Sequence, residues 1–243
     1  MLKLEGLSPS ALNRFKKCPK KWELGKIKPQ GVVVPEQARL YGTAVHQCIA
    51  LYFNKIHDHP TEEDIEMVVK EAFENGLSHA MKGQRAKTKQ ILDNFIQFEK
   101  KRLRTWKQYK PTFVEKWMSA KVWGDIPEFR CIVDFYSEPD ATAIDWKSGG
   151  CEMNEDNMRQ GKINEMILVR NSLPVKKVLF FGLQQGVELQ VPKVTEGWVY
   201  KDAKRMVEMV KSGRFVKRPS GLCGWCENIL DCEMSEVCLW WGI

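Results

Sequence analysis

Asp145 and Lys147 stand one residue apart in ATAIDWKSGG (141–150), a segment that otherwise reads as a buried strand. A lone charge in a protein interior is costly unless it is paired or holds a metal. The segment therefore hides a salt bridge or carries chemistry. Side chains alternate across a strand, so Asp145 and Lys147 share one face while Trp146 points to the other. In the segment before it, EFRCIVDFYS, Asp134 shares its face with Ile132 and Arg130. If the two strands are neighbours, Asp134 and Asp145 converge at one end of a sheet. Two carboxylates held close do not both stay ionised cheaply unless a divalent cation lies between them. Mg²⁺ and Mn²⁺ suit such a site, because they take oxygen ligands and keep waters. An ion of that kind lowers the pKa of bound water and screens charge building up on a phosphate. Lys147 can then orient the attacking water or steady the transition state. The backbone carbonyl of Trp146 offers a further ligand, and Gly149 and Gly150 allow a substrate to approach the backbone closely. Against this stands an ordinary Asp–Lys pair on a half-exposed strand, which is worth little. The tripeptide alone does not choose between the two.

Cysteine supplies a second constellation. Of eight cysteines, Cys223, Cys226, Cys232 and Cys238 fall in the last 21 residues. Cys223-x-x-Cys226 followed by Cys232 is an incomplete metal site, and its fourth ligand is either Cys238 nearby or Cys18 at the far end of the chain. The local set would make a small zinc knuckle. Cys48, Cys131 and Cys151 read as buried or incidental thiols.

The elements that must position these groups follow from pattern. Ser8 and Pro9 open a helix in LSPSALNRFKKCPKKWEL, and Pro19 stops or kinks it, leaving Cys18 at its end. ARLYGTAVHQCIALYFNKI reads as a buried helix. Thr61 caps a third helix, and a fourth runs from about Thr88 to Tyr109 with Leu92, Phe95, Leu103 and Trp106 inward and its cations outward. Short segments rich in β-branched and aromatic residues then form a β-meander over 112–148. A helix over about Asn154–Asn171, two strands in KKVLFFGLQQGVELQV and a helix over about Thr195–Ser212 complete an α/β arrangement with a mixed sheet.

Composition narrows the class. Hydrophobic residues make up 43% and charged residues 28% of 243 residues, an ordinary globular balance. No apolar run approaches the roughly 20 residues that span a bilayer, and the N-terminus lacks a signal-peptide pattern. A soluble, cytoplasmic protein without membrane partners is expected. Net charge is +7, and ten Lys/Arg between Lys82 and Lys110 face only Asp93 and Glu99, which leaves the rest near neutral. Such a stretch suits a polyanion, or is simply a solvated helix face.

SPSALNRFKKCP, GTAVH, CIVD, IDWKSG and CGWCENILDC occur in this order. Together they resemble the RecB-like branch of the PD-(D/E)XK nucleases, especially the CRISPR-associated RecB-like iron–sulfur exonucleases and their viral relatives. The likeness covers nearly the whole chain and is weakest over 55–110. It implies a restriction-endonuclease-like core: a central mixed sheet flanked by helices, an N-terminal helical region, and a cysteine-rich tail closing on the N-terminal helix. One nuclease domain over 1–243 is expected, with a helical part (1–110), a catalytic sheet core (111–192) and a C-terminal helix with cluster tail (193–243).

The resemblance also implies roles. His46 binds or adjoins the metal, Asp134 and Asp145 are its carboxylates, Lys147 is the catalytic lysine, Glu115 is outer support and Gln160 is the glutamine of the following helix. Cys18, Cys223, Cys226 and Cys232 match the ligands of a [4Fe–4S] cluster, with Zn²⁺ as the alternative. Trp225, Trp240 and Trp241 would shield that cluster or stack on bases. The implied activity is a Mg²⁺- or Mn²⁺-dependent DNA exonuclease on single-stranded ends, releasing 5′-phosphates, with Lys100, Lys101, Arg102, Arg104 and Lys107 holding the strand. The alternatives are an end-processing subunit serving a recombinase, helicase or CRISPR integrase, and a non-catalytic DNA-binding module with a zinc knuckle. No G-x-x-x-x-G-K-[ST] is present, so unwinding would fall to another chain. Two positions depart from the family pattern: Cys131 replaces a glycine three residues before the first acid, and Asn164 replaces a tyrosine four residues after the glutamine.

Overall fold

A computed structural model describes residues 2–27, 36–77 and 84–221, then 223, 226, 228, 231 and 232. Cys238, Trp225, Trp240, Trp241, His79 and Lys82 lie outside the described residues. The elements are α1 (Pro9–Lys17), α2 (Pro19–Ile27), α3 (Glu36–Lys55), α4 (Glu62–Gly76), α5 (Arg85–Thr105), β1 (Phe113–Ala120), β2 (Phe129–Ser137), β3 (Thr142–Lys147), α6 (Glu155–Arg170), β4 (Lys177–Gly182), β5 (Val187–Gln190) and α7 (Glu196–Ser212). The chain divides into two compact units. One joins Met1–Glu36, Ser119–Arg130 and Val194–Ile243; the other joins Gln37–Met118 and Cys131–Lys193.

In the first unit Ser8 caps α1, its hydroxyl accepting from the Ala11 amide at 3.2 Å, and Pro9 takes the first helical position. Pro19 ends this helix rather than bending it. Cys18 before it is extended, as the ring of a following proline demands, and α2 starts at Pro19 itself. Phe15 and Trp22 are buried edge to face at 6.0 Å, with Trp22 also 6.0 Å from Phe215. α7 lies against α1, and Gly213 closes α7 with φ of +66°, a conformation glycine reaches without steric cost.

The sheet has the order β1-β2-β3-β4-β5. β2 and β3 run antiparallel, β3 and β4 parallel, β4 and β5 antiparallel. The parallel pair needs a crossover, which α6 supplies. The expected meander, crossover helix and mixed sheet are thus present, flanked by helices. One face carries Phe135, Ile144, Trp146, Leu179 and Phe181 into a core shared with Tyr52, Phe53, Phe73, Phe95 and Phe98 of α3, α4 and α5. The Trp146 ring meets Phe95, Phe98, Phe135 and Phe181 edge-on at 5.6–6.1 Å. α6 packs on β4, where Gly161 is obligatory: a Cβ there would lie 2.5 Å from Val191 Cγ2. Among the described residues no helix is long and apolar enough to cross a membrane.

α5 corrects one expectation. Arg102 does not face outward to hold DNA; it is 1% exposed in the core. Its Nε and Nη2 donate to Glu99 at 3.0 and 2.9 Å, and its guanidinium lies 4.5–5.5 Å from the Phe53, Trp106, Tyr109 and Phe135 rings. The reason is periodicity: 95, 99, 102 and 106 recur at helical spacing on the buried stripe. The neighbouring cations face acids. Lys100 pairs with Glu66 at 2.5 Å, Lys101 with Glu188 at 3.1 Å and Arg104 with Glu62. Lys107 is exposed.

Candidate metal centre

The site residues lie within the second unit. β3 brings Asp145 and Lys147 to one face, and Asp145 pairs across to Phe180 of β4. The β2–β3 register matches Phe135 with Ile144 and Tyr136 with Ala143, and one further step sets Asp134 opposite Asp145. The two acids thus converge, as alternation requires. Both are buried, 8% and 4% exposed.

Helix α3 delivers His46. Its Nε2 donates to the Trp146 carbonyl at 2.9 Å, which turns Nδ1 toward Glu115 Oε1 (3.1 Å) and Asp134 Oδ2 (3.6 Å). The Trp146 amide in turn donates to Asp134 Oδ2 at 2.9 Å. The backbone of one residue therefore orients a ligand from a helix and another from the adjacent strand. Donor atoms of His46, Glu115 and Asp134 all lie within 4.8 Å of one another, a spacing that suits a single small cation. Glu115, expected behind the centre, stands inside this group. Its backbone has φ of +45°, strained for any residue with a side chain. Such strain persists only where the surroundings enforce it, and it aims this carboxylate at His46.

Asp145 and Lys147 form a second half of the site. Lys147 Nζ donates to Asp145 Oδ1 at 2.7 Å and to Gln160 Oε1 at 2.9 Å, and it lies 4.7 Å from the centre of the Phe180 ring. Gln160 on α6 completes the triangle by donating Nε2 to Asp145 Oδ2. Asn164, one turn further along α6, is buried, and its Oδ1 has no partner among the described residues. At Gly149 a Cβ would meet no described atom within 4 Å, so the turn after Lys147 is open.

Electrostatics record the crowding. Burial above all, then the Asp145 carboxylate, pushes Asp134 well above the usual carboxylate range, with His46 opposing. For His46, burial opposes the charged ring, yet the Glu115 hydrogen bond and the Asp134, Glu115 and Asp145 charges outweigh it and raise its pKa to about 9. Acids strained by their own proximity, with an imidazole nitrogen among them, form a donor set that a divalent cation relieves.

In the first unit Cys18, Cys223, Cys226 and Cys232 are half-buried and in no disulfide. Cys18 ends α1 and its sulfur accepts from the Lys21 amide at 3.5 Å. Cys223 Sγ accepts from the Ser220 amide at 3.3 Å, and the Cys226 amide turns back to the Cys223 carbonyl at 3.0 Å. Cys48, Cys131 and Cys151 are buried, as expected of structural thiols; burial holds Cys48 and Cys131 up at about 12.

No curated protein matches the sequence. The family model of the PD-(D/E)XK nuclease superfamily matches residues 6–238, which takes in both units and every side chain of the centre. An α/β core with a mixed sheet, carrying an acid on each of two neighbouring strands and a lysine two residues after the second, agrees with that match, and the chain belongs to the PD-(D/E)XK nuclease superfamily.

Proposed function

We propose that the chain is a Mg²⁺- or Mn²⁺-dependent DNA exonuclease acting on single-stranded ends, of the RecB-like, iron–sulfur kind. The observation that carries the reading is the convergence of His46, Glu115 and Asp134 beside the Asp145–Lys147–Gln160 triangle. His46, Glu115, Asp134 and Asp145 would hold the ion; the Trp146 carbonyl, expected as a further oxygen, is instead engaged by the Nε2 proton on the opposite side of the His46 ring from Nδ1. A bound divalent ion supplies an acidified water and positive charge against a phosphate.

The chain's own groups do the rest. Lys147 carries three N–H donors. Asp145 and Gln160 engage two of them, which leaves one for a phosphate oxygen or the attacking water. Gln160 keeps Lys147 from collapsing wholly onto Asp145. His46 places its Nε2 proton on the Trp146 carbonyl, so Nδ1 is the nitrogen free to ligate. In-line attack with loss of the 3′-oxygen gives 5′-phosphate products.

The direct test uses oligonucleotides labelled at either end, with and without Mn²⁺, on protein prepared without air. Progressive shortening of the single strand in Mn²⁺, abolished by EDTA, is expected. Intact substrate under all conditions sinks the proposal.

His46 adds a proton-linked prediction. With a folded pKa of about 9, it holds a proton at pH 7 that Nδ1 must give up to ligate an ion. Mn²⁺ titration in weakly buffered solution should therefore acidify it at pH 7 and much less above pH 9. The sign for stability is the same: the metal-free protein gains from the His46 charge below the ordinary histidine pKa and loses that gain as pH rises through about 9. No proton release at pH 7 removes His46 from the ligand set.

For the tail, we assign Cys18, Cys223, Cys226 and Cys232 to a [4Fe–4S] cluster that staples α1 to the last segment. The Cys18 and Cys223 sulfurs each accept a hydrogen bond from a nearby backbone amide, of Lys21 and Ser220. Anaerobically purified protein should be brown, with a broad absorption shoulder in the violet that Cys18→Ala bleaches. Colourless protein carrying stoichiometric zinc would replace the cluster by a zinc knuckle.

A further inference from the structure

β1 is an edge strand, and its pairing with β2 runs past the metal group. At one end the Phe113 ring stacks on Tyr136, centroids 5.1 Å apart. Two residues along each strand, Glu115 and Asp134 meet at His46. Two residues further along each strand stand Trp117 and Ile132. Their chain neighbours Met118 and Cys131 are buried.

Trp117 is 60% exposed and Ile132 54%. Each is two residues, roughly 7 Å of strand, from a carboxylate of the metal group: Trp117 from Glu115 and Ile132 from Asp134. Folding does not explain this exposure: a bare tryptophan on an edge strand is a liability for self-association. Beside it Lys116 is exposed, its ammonium 4.7 Å from the centre of the Phe113 ring.

We propose that Trp117, exposed on the edge strand two residues from Glu115, is a stacking platform for the base of an unpaired nucleotide next to the phosphate being cut. This rests on the nuclease reading of the site. An indole presents a flat face to any base, so the contact tolerates every sequence. A duplex keeps its bases stacked on one another, so the platform favours an unpaired strand. Lys116 supplies positive charge for the backbone that such a base drags along. The step from carboxylates to indole is the reach of a single nucleotide, which puts the stacked base adjacent to the reacting phosphate.

The test is binding of a fluorescent single strand followed by anisotropy in Ca²⁺, with cleavage arrested. Trp117→Ala should weaken binding roughly tenfold and Trp117→Phe much less. A fully abasic strand of equal length should bind the wild type weakly and lose nothing more with Trp117→Ala. Unchanged affinity for the normal strand, or an equal further loss on the abasic strand or on a blunt duplex, overturns the platform and leaves the nuclease reading to its own cleavage assay. A wild-type protein that neither binds nor cuts DNA removes both.

Discussion

Asp145→Asn is expected to cut phosphodiester cleavage by on the order of 10³-fold, about 4 kcal/mol in the barrier, while DNA affinity changes little. The carboxylate has two duties. Its Oδ1 holds Lys147 at 2.7 Å, and Oδ2 accepts from Gln160. The amide keeps the shape but deletes one negative charge from the metal set and loosens the lysine. Affinity survives because phosphate contacts, rather than this acid, hold the strand. A second readout comes from the neighbour: Asp145 helps push Asp134 upward, so in the variant Asp134 should return toward the ordinary carboxylate range. Cleavage at close to the wild-type rate would take Asp145 out of the chemistry. Lost cleavage with lost DNA affinity would instead point to a damaged fold.

The second large effect is on stability. Arg102→Met should cost about 3–5 kcal/mol, because it strands a buried carboxylate, and lower Tm by about 10 °C. Glu99 is fully buried and depends on Arg102 at 2.9–3.0 Å, with Tyr109 donating at 2.9 Å and Tyr52 at 3.3 Å. Burial already raises its pKa despite the guanidinium. A carboxyl raised in the folded state binds more protons folded than unfolded above its ordinary pKa, so this group costs stability as pH rises through that window. Without Arg102 the window widens upward. The variant should therefore be weakest at neutral and alkaline pH and recover part of the loss toward about pH 5. Arg102→Met/Glu99→Leu should restore most of it, since two apolar groups leave no orphan charge. Urea unfolding at both pH values decides, and an equal loss at the two excludes Glu99 as the cause.

Local chemistry carried much of this structure from the sequence. Ser8–Pro9, Thr61, Asn154 and Gly213 mark helix ends that the fold reproduces within a few residues, because capping and turn preferences act over one helical turn. Alternation put Asp145 with Lys147 and Asp134 with Ile132 on shared faces, and the observed register then brings the acids together. Contacts between distant segments could not be seen in the same way. Glu115 looked like a supporting residue because nothing local announces the strained φ that turns it inward. Composition groups Arg102 with its charged neighbours, because it counts charge, while burial depends on which stripe of α5 meets the core. The acids of α4 and β5 that meet Lys100, Lys101 and Arg104 were equally invisible until the elements packed.

Two contacts that shape the centre use the backbone of residue 146 and not its side chain. The carbonyl of residue 146 accepts from His46, and its amide, in the preceding peptide, donates to Asp134. Any amino acid except proline can occupy that position and keep both. Evolutionary drift there is limited only by the aromatic pocket around the ring, and an alanine scan would report position 146 as a packing defect. Replacing the 145–146 amide by an ester removes the donor to Asp134, leaves the carbonyl that accepts from His46 in place, and exposes what mutagenesis cannot reach.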